Sequence, residues 1–278
     1  MKLLKSHKSF EGQTQVWEHA SRSTQTTMKF SVYMPPGEIR GALIWLSGLT
    51  CNEENFITKA GAQKSLASLG LMIICPDTSP RGLDLPGERD SWEFGEAAGF
   101  YLNASTPYYC DHYRMYEYIT VEIYEILLNH FCVKKDSISL MGHSMGGHGA
   151  LVIGLREASK FKSISAFAPI TNPTQGHWKE KVLRGYLGDD EQTWANYDAC
   201  ELIKKGLRHP YPILIDQGLD DAFFLEKKLM TDYFEEVAMQ AGQLLDVRWR
   251  AGYDHGYYFV ATFIESHIAF HGKALQII

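Results

Sequence analysis

At 278 residues, with 45% hydrophobic and 22% charged residues, the chain has ordinary globular usage and enough length to bury a large core. Lys and Arg total 27 against 33 Asp and Glu, and the net charge of -6 gives no electrostatic reason to expect nucleic acid. No apolar run approaches the ~18 residues of a membrane span, and five cysteines without a C-x-x-C pair suit free thiols in a reducing, cytoplasmic setting.

The N-terminus, Met1 to Lys8, lacks the apolar stretch of a signal peptide. Gln15 to His19 and Met28 to Met34 alternate in the manner of antiparallel strands, the second ended by Pro35-Pro36-Gly37. Ala42 to Leu46 is a continuous apolar run, as expected of a strand buried on both faces. It opens into the loop Ser47-Gly48-Leu49-Thr50-Cys51-Asn52. A helix is expected over 58–69, and Leu71 to Pro76 reads as the next buried strand.

From Asp77 to about Asp111 the chain has no clear periodicity and is rich in Gly and Pro. A structureless segment of that length is usually functional, so it is expected to border the active site. Residues 113–131 carry a helical apolar stripe through Met115, Ile119, Ile123, Ile126 and Leu127. Ser137 to Met141 then runs into Gly142-His143-Ser144-Met145-Gly146, a G-x-S-x-G motif, with a small-residue helix after it.

Strand, sharp turn and helix are the context of a nucleophile elbow, in which a serine hydroxyl stands clear of the sheet. The N–H of Met145 would lie at a helix N-terminus, where negative charge is favoured. Leu49 N–H, in the loop after an earlier strand, is the candidate for the second donor to an oxyanion.

Beyond a strand at Ile164 to Pro169, residues 172–197 carry Trp178, Tyr186 and Trp194 among charged residues and read as a small helical cap. Ile213 to Gly218 is a further buried strand, followed by an acidic loop and a helix over 225–241. Val247 to Arg250 is the last strand, and Gly252-Tyr253-Asp254-His255 leads into the final helix. No repeat or linker divides the chain, so residues 1–278 read as one α/β domain.

A serine hydroxyl needs a base within hydrogen-bond reach, and the base needs a carboxylate to fix its tautomer. In an α/β-hydrolase the order is Ser, acid, His. Ser144 and His255 fit that order, since only His255 sits in a loop at the carboxyl end of the last strand. Asp216 lies within its strand and suits packing or loop hydrogen bonds, whereas Asp220 and Asp221 stay equivalent on spacing alone. No zinc spacing occurs, so neither a metal nor a cofactor is expected.

Six colinear motifs closely resemble the S-formylglutathione hydrolases of the esterase D family. They are Ser47-Gly48-Leu49-Thr50-Cys51, the Pro76 to Gly82 stretch, Ala98 to Ala104, Gly142 to Leu151, Ser165 to Ile170, and Gly252 to His255. The resemblance spans essentially the whole chain. It implies an α/β-hydrolase fold and hydrolysis of S-formylglutathione to glutathione and formate.

The family pattern D-Q-G-x-x-D-x-F, laid on Asp216 to Phe223, implies Asp221 as the triad acid. It also implies that Leu49 and Met145 supply the oxyanion N–H groups. Cys51 would lie close enough for thiol modification to block the site, although its plain reading is a small buried apolar residue. Size and resemblance together point to a homodimer.

Two departures stand out. Gly256 replaces the usual serine after the Asp-His pair, and Gly176-His177-Trp178-Lys179 replaces the usual Pro-Trp-Gly of the cap. The competing expectations are a general carboxylesterase for small acyl esters and a non-catalytic binding protein with a decayed site.

Overall fold

The continuous apolar runs become the middle of a nine-stranded sheet in the computed structural model, which describes residues 1–278. In chain order the elements are β1 Lys2–Ser9, β2 Gly12–Ala20, β3 Thr27–Met34, β4 Gly41–Leu46, α1 Glu54–Lys59, α2 Gln63–Leu69 and β5 Leu71–Pro76. Then come α3 Met115–Glu117, α4 Tyr124–Asn129, β6 Ile138–His143, α5 Met145–Arg156, β7 Ile164–Phe167, α6 Arg184–Leu187, α7 Glu191–Trp194 and α8 Ala199–Lys204. The chain closes with β8 Ile213–Gly218, α9 Ala222–Leu225, α10 Thr231–Gln240, β9 Leu245–Arg250 and α11 Tyr257–Ala274.

The strand order is β1-β2-β3-β5-β4-β6-β7-β8-β9. Pairing is antiparallel from β1 through β3 to β5, and parallel from β5 across to β9. Every residue of β4, β5, β6, β7 and β8 is buried, as strands covered by helices on both faces require. The chain leaves β4 for β5 on one side and returns to β6 on the other. This reversal makes β4 and β6 neighbours with their carboxyl ends together, the position at which open α/β sheets bind ligands.

Several elements differ from the sequence-based expectation. β1 was not expected, because Lys2 to Lys8 are all exposed and offer no apolar face to read; its three lysines lie along the sheet edge, where charge discourages further strand pairing. The helix expected over 58–69 is two short helices, with Ala60 to Ala62 between them. The one expected over 225–241 is shorter, forming only as α10, while α9 ends at Leu225 and residues 226–230 turn between them. The stripe at 113–131 does form one rod, but Tyr118–Ile123 between α3 and α4 is wound as a π-helix.

Between β5 and α3 no regular helix or strand forms. That long segment is ordered by burial of Phe100 and Tyr101 and by its bonds to the loop after β4. Tyr101 donates its hydroxyl to the Ser47 carbonyl at 2.8 Å, Thr78 Oγ1 donates to the Cys51 carbonyl at 2.6 Å, and Thr50 N–H donates to Ala97 O at 3.1 Å. These bonds brace the loop at the carboxyl end of β4. No helix is long and apolar enough to cross a membrane.

Candidate active site

β6 delivers Ser144 into a turn with φ 57° and ψ -119°, and α5 begins at the next residue. For a residue with a side chain this is a strained conformation, costing about 1–3 kcal/mol, and the surroundings hold it. Ser144 N–H donates to Phe167 O at 2.9 Å, while its carbonyl accepts from His148 N–H at 2.9 Å and Ile170 N–H at 3.3 Å. The turn also demands glycine: a Cβ on Gly142 would stand 2.1 Å from Gly146 O, and one on Gly146 would stand 1.8 Å from Leu46 O.

The candidate base arrives from the other end of the chain. The loop between β9 and α11 sets His255 Nδ1 2.6 Å from Asp221 Oδ2. Asp221 is fully buried, and its carboxylate is satisfied. Oδ1 accepts from Phe223 N–H at 2.8 Å and Phe224 N–H at 3.3 Å, capping α9, and Oδ2 also accepts from Gln217 Nε2 at 3.3 Å. With Nδ1–H donated to the carboxylate, Nε2 of His255 is left as the proton acceptor. Asp220, equivalent on spacing, is exposed to solvent and is not bonded to His255.

Ser144 and His255 line one pocket of about 490 Å³ without a hydrogen bond between them in this conformation. Such links are often long without substrate and close when it binds. The N–H groups of Leu49 and Met145 make no hydrogen bond to the protein, so both donors are available at the carboxyl ends of β4 and β6.

The pocket wall includes Trp92, from the 77–111 segment expected to border the site, and residues with no such expectation: His143, Phe223, Tyr257, Asn55 and Lys59. They come from separated segments, and only the spacing of Asn55 and Lys59 on one short helix offered a local signal. His143 and Phe223 flank the His255 ring, with centroids 4.6 and 4.7 Å away. Burial, and then the charge of His255, holds His143 well below the usual histidine range, so a neutral ring lies against His255. Cys51 also lines the pocket; burial raises its thiol above the ordinary value, with Lys59 opposing.

No residue of 172–197 lines this pocket. Trp178, Tyr186 and Trp194 are core residues, and Trp178 reaches the pocket only through Trp92, at 6.5 Å between rings. Gly256, in place of the usual serine, leads into α11 and donates its N–H to Asp254 Oδ1 at 2.8 Å.

A second Ser-His-Asp chain lies away from the pocket. His267 Nδ1 is 2.9 Å from Ser165 Oγ, and His267 Nε2 is 2.8 Å from Asp216 Oδ2. Arg250 Nε donates to the same carboxylate at 2.6 Å. Burial acts to raise Asp216, but His267 and Arg250 outweigh it and its carboxyl is lowered. All of Ser165, His267 and Asp216 are fully buried, so this chain ties β7, β8 and α11 together and meets no substrate.

A mostly parallel sheet, a serine on a strand-to-helix elbow and a carboxylate-bound histidine in the last loop together define an α/β-hydrolase of the serine type. A family model described as "Putative esterase" matches residues 21–270. The S-formylglutathione hydrolase of Mus musculus is 46% identical over 279 residues, covering 99% of both chains. That of Arabidopsis thaliana is 46% identical over 277 residues, covering 98% of this chain and 97% of its own. The solved structure of an S-formylglutathione hydrolase from Agrobacterium tumefaciens superimposes with a TM-score of 0.95 at 42% identity, covering 99% of this chain and all of that one. The chain belongs to the S-formylglutathione hydrolase family of esterases.

Proposed function

We propose that the chain is a serine thioesterase that hydrolyses S-formylglutathione to glutathione and formate, a step of formaldehyde detoxification. The observation that carries the substrate is the 46% identity over 99% of the chain to an enzyme of that name. Support for the mechanism comes from the 2.6 Å bond between His255 and Asp221 beside Ser144.

Ser144 Oγ attacks the formyl carbon as His255 Nε2 takes its proton. Charge that develops on the carbonyl oxygen is met by the free N–H groups of Leu49 and Met145. The C–S bond breaks, the thiolate leaves with the proton from His255, and a formyl-Ser144 ester stays behind. Water then attacks that ester with His255 as base, releasing formate and restoring Ser144. Asp221 keeps the His255 tautomer and stabilises the imidazolium at each transfer. No cofactor enters these steps.

Residues 1–278 form one domain on this reading, because a single core cluster joins the sheet, its helices and the 172–197 segment. Five free thiols suit a cytoplasmic setting. A homodimer, expected from the resemblance, belongs to the same proposal and is read by light scattering.

The test is a comparison of kcat/KM for S-formylglutathione with that for p-nitrophenyl acetate. A preference of at least a hundredfold for the thioester is expected. A preference for the acetate would make the chain a general carboxylesterase instead.

A further inference from the structure

We propose that Asn55 and Lys59 form a carboxylate-binding subsite on the pocket wall, which takes a carboxylate of the peptide thiol during attack on its formyl thioester. The proposal rests on the S-formylglutathione reading and adds the residues that select the thiol half of that substrate. A formyl group is too small to provide much binding energy, so discrimination among formyl thioesters falls to contacts with the leaving group.

Asn55 and Lys59 are four residues apart on α1, and both line the pocket that holds Ser144. Lys59 is the one Lys or Arg on that wall, and no Asp or Glu lies there. It forms no salt bridge. Its ammonium stands 5.5 Å from the Tyr257 ring centroid, a contact that orients a cation without neutralising it.

The acids of the same helix are engaged elsewhere. Glu54 pairs with Lys5 at 2.5 Å, and Glu53, just before the helix, is buried. Asn55 Oδ1 accepts Asn52 N–H at 2.9 Å, which fixes the amide orientation and leaves Nδ2 free to donate. An ammonium and an amide N–H₂ on one face offer donors only, and a carboxylate is acceptor-only. The two are complementary. Glutathione carries two carboxylates, and its diethyl ester carries none.

The experiment measures kcat/KM for S-formylglutathione and for its diethyl ester, in wild type, Lys59→Gln and Lys59→Arg, with thermal melts to check the fold. Wild type should favour the free acid about three- to tenfold, the scale of a charge-assisted contact at a partly exposed site. That preference should shrink with added salt. In Lys59→Gln it should fall to about parity, mainly through KM, and Lys59→Arg should restore it.

If Lys59 served only as a cation in the last turn of α1, both substrates would change together and the preference would stay at the wild-type ratio. That result overturns the subsite. A wild type that hydrolyses the diester but has no preference for the acid overturns it too. A wild type that hydrolyses neither thioester overturns the substrate reading itself, which separates the two failures.

Discussion

Gly48 lies directly against Ser144: a Cβ added to Gly48 would stand 3.2 Å from Ser144 Cβ and 3.3 Å from the His143 carbonyl. The loop after β4 therefore touches the back of the nucleophile as well as presenting Leu49 N–H. Gly48→Ala should displace both by a few tenths of an ångström and lower kcat by about ten- to a hundredfold, approaching the loss of an oxyanion donor. The melting temperature should stay within a few degrees. Wild-type kcat in the alanine variant would show that the contact has slack and that Leu49 is not held by it.

Asp221 performs two tasks through two oxygens, orienting His255 with Oδ2 and capping α9 with Oδ1. Asn can keep the cap while losing the charge and the correct tautomer. Asp221→Asn is expected to cut kcat by about 10⁴-fold, as in other triads, with little change in stability. Asp221→Ala should add a stability loss of about 1–2 kcal/mol from the missing cap. Denaturant titration of both variants separates the effects, and equal midpoints would refute the capping role.

Acid should destabilise the fold through buried histidines. Burial comes first among the causes that lower His143, His148, His267 and His271, with His148 brought to about 4. The unfolded chain accepts protons on these groups below about pH 6.5, where the folded chain resists them. Their stability contribution is thus complete above pH 6.5 and declines as pH falls. For His148 alone the loss at pH 5 is about 2 kcal/mol. Urea midpoints at pH 7.5 and pH 5 measure it, and a midpoint that did not drop at pH 5 would contradict the burial of these rings.

The raised Cys51 thiol should alkylate slowly at neutral pH and faster in strong alkali, because the thiolate is the reactive form. Exposed Cys132 should react first without loss of activity. An adduct on Cys51 would fill the pocket beside Ser144 and stop turnover. Cys51→Ala should keep activity within about threefold and resist inactivation by iodoacetamide. Rapid loss of activity in that variant would place the sensitive thiol elsewhere.

The buried strands were legible because burial on both faces leaves an unbroken apolar run, as in Ala42 to Leu46 and Ile213 to Ile215. β1 escaped notice for the opposite reason, having no buried face. Short breaks such as that at residues 60–62 change the backbone without disturbing the apolar pattern, so one helix was expected where two occur. Ser144 and His255 stand in positions fixed by chain order, and spacing alone pointed to them.

Asp220 and Asp221 lie beyond the last residue of β8, where alternation no longer says which side chain turns inward. Family resemblance chose Asp221, and the geometry gives a physical ground in its full burial and its bond to His255. The pocket wall was hardest to foresee. Phe223 and Tyr257 meet Trp92 only after folding, and the aromatic residues at 172–197 pack into the core, as aromatic residues of that segment were expected to.

The pairing of Leu46 with Gly142 sets the ends of β4 and β6 side by side, with Leu49 and Ser144 just beyond them. Leu49 and Ser144 lie close to those strand ends, whereas Trp92, Asn55 and Lys59 sit farther out along the connections. On the proposed reading, how the bond is cut depends on residues next to the strand ends, and which molecule is admitted depends on residues farther from them. Such a division lets selectivity drift under mutation while the reaction stays intact.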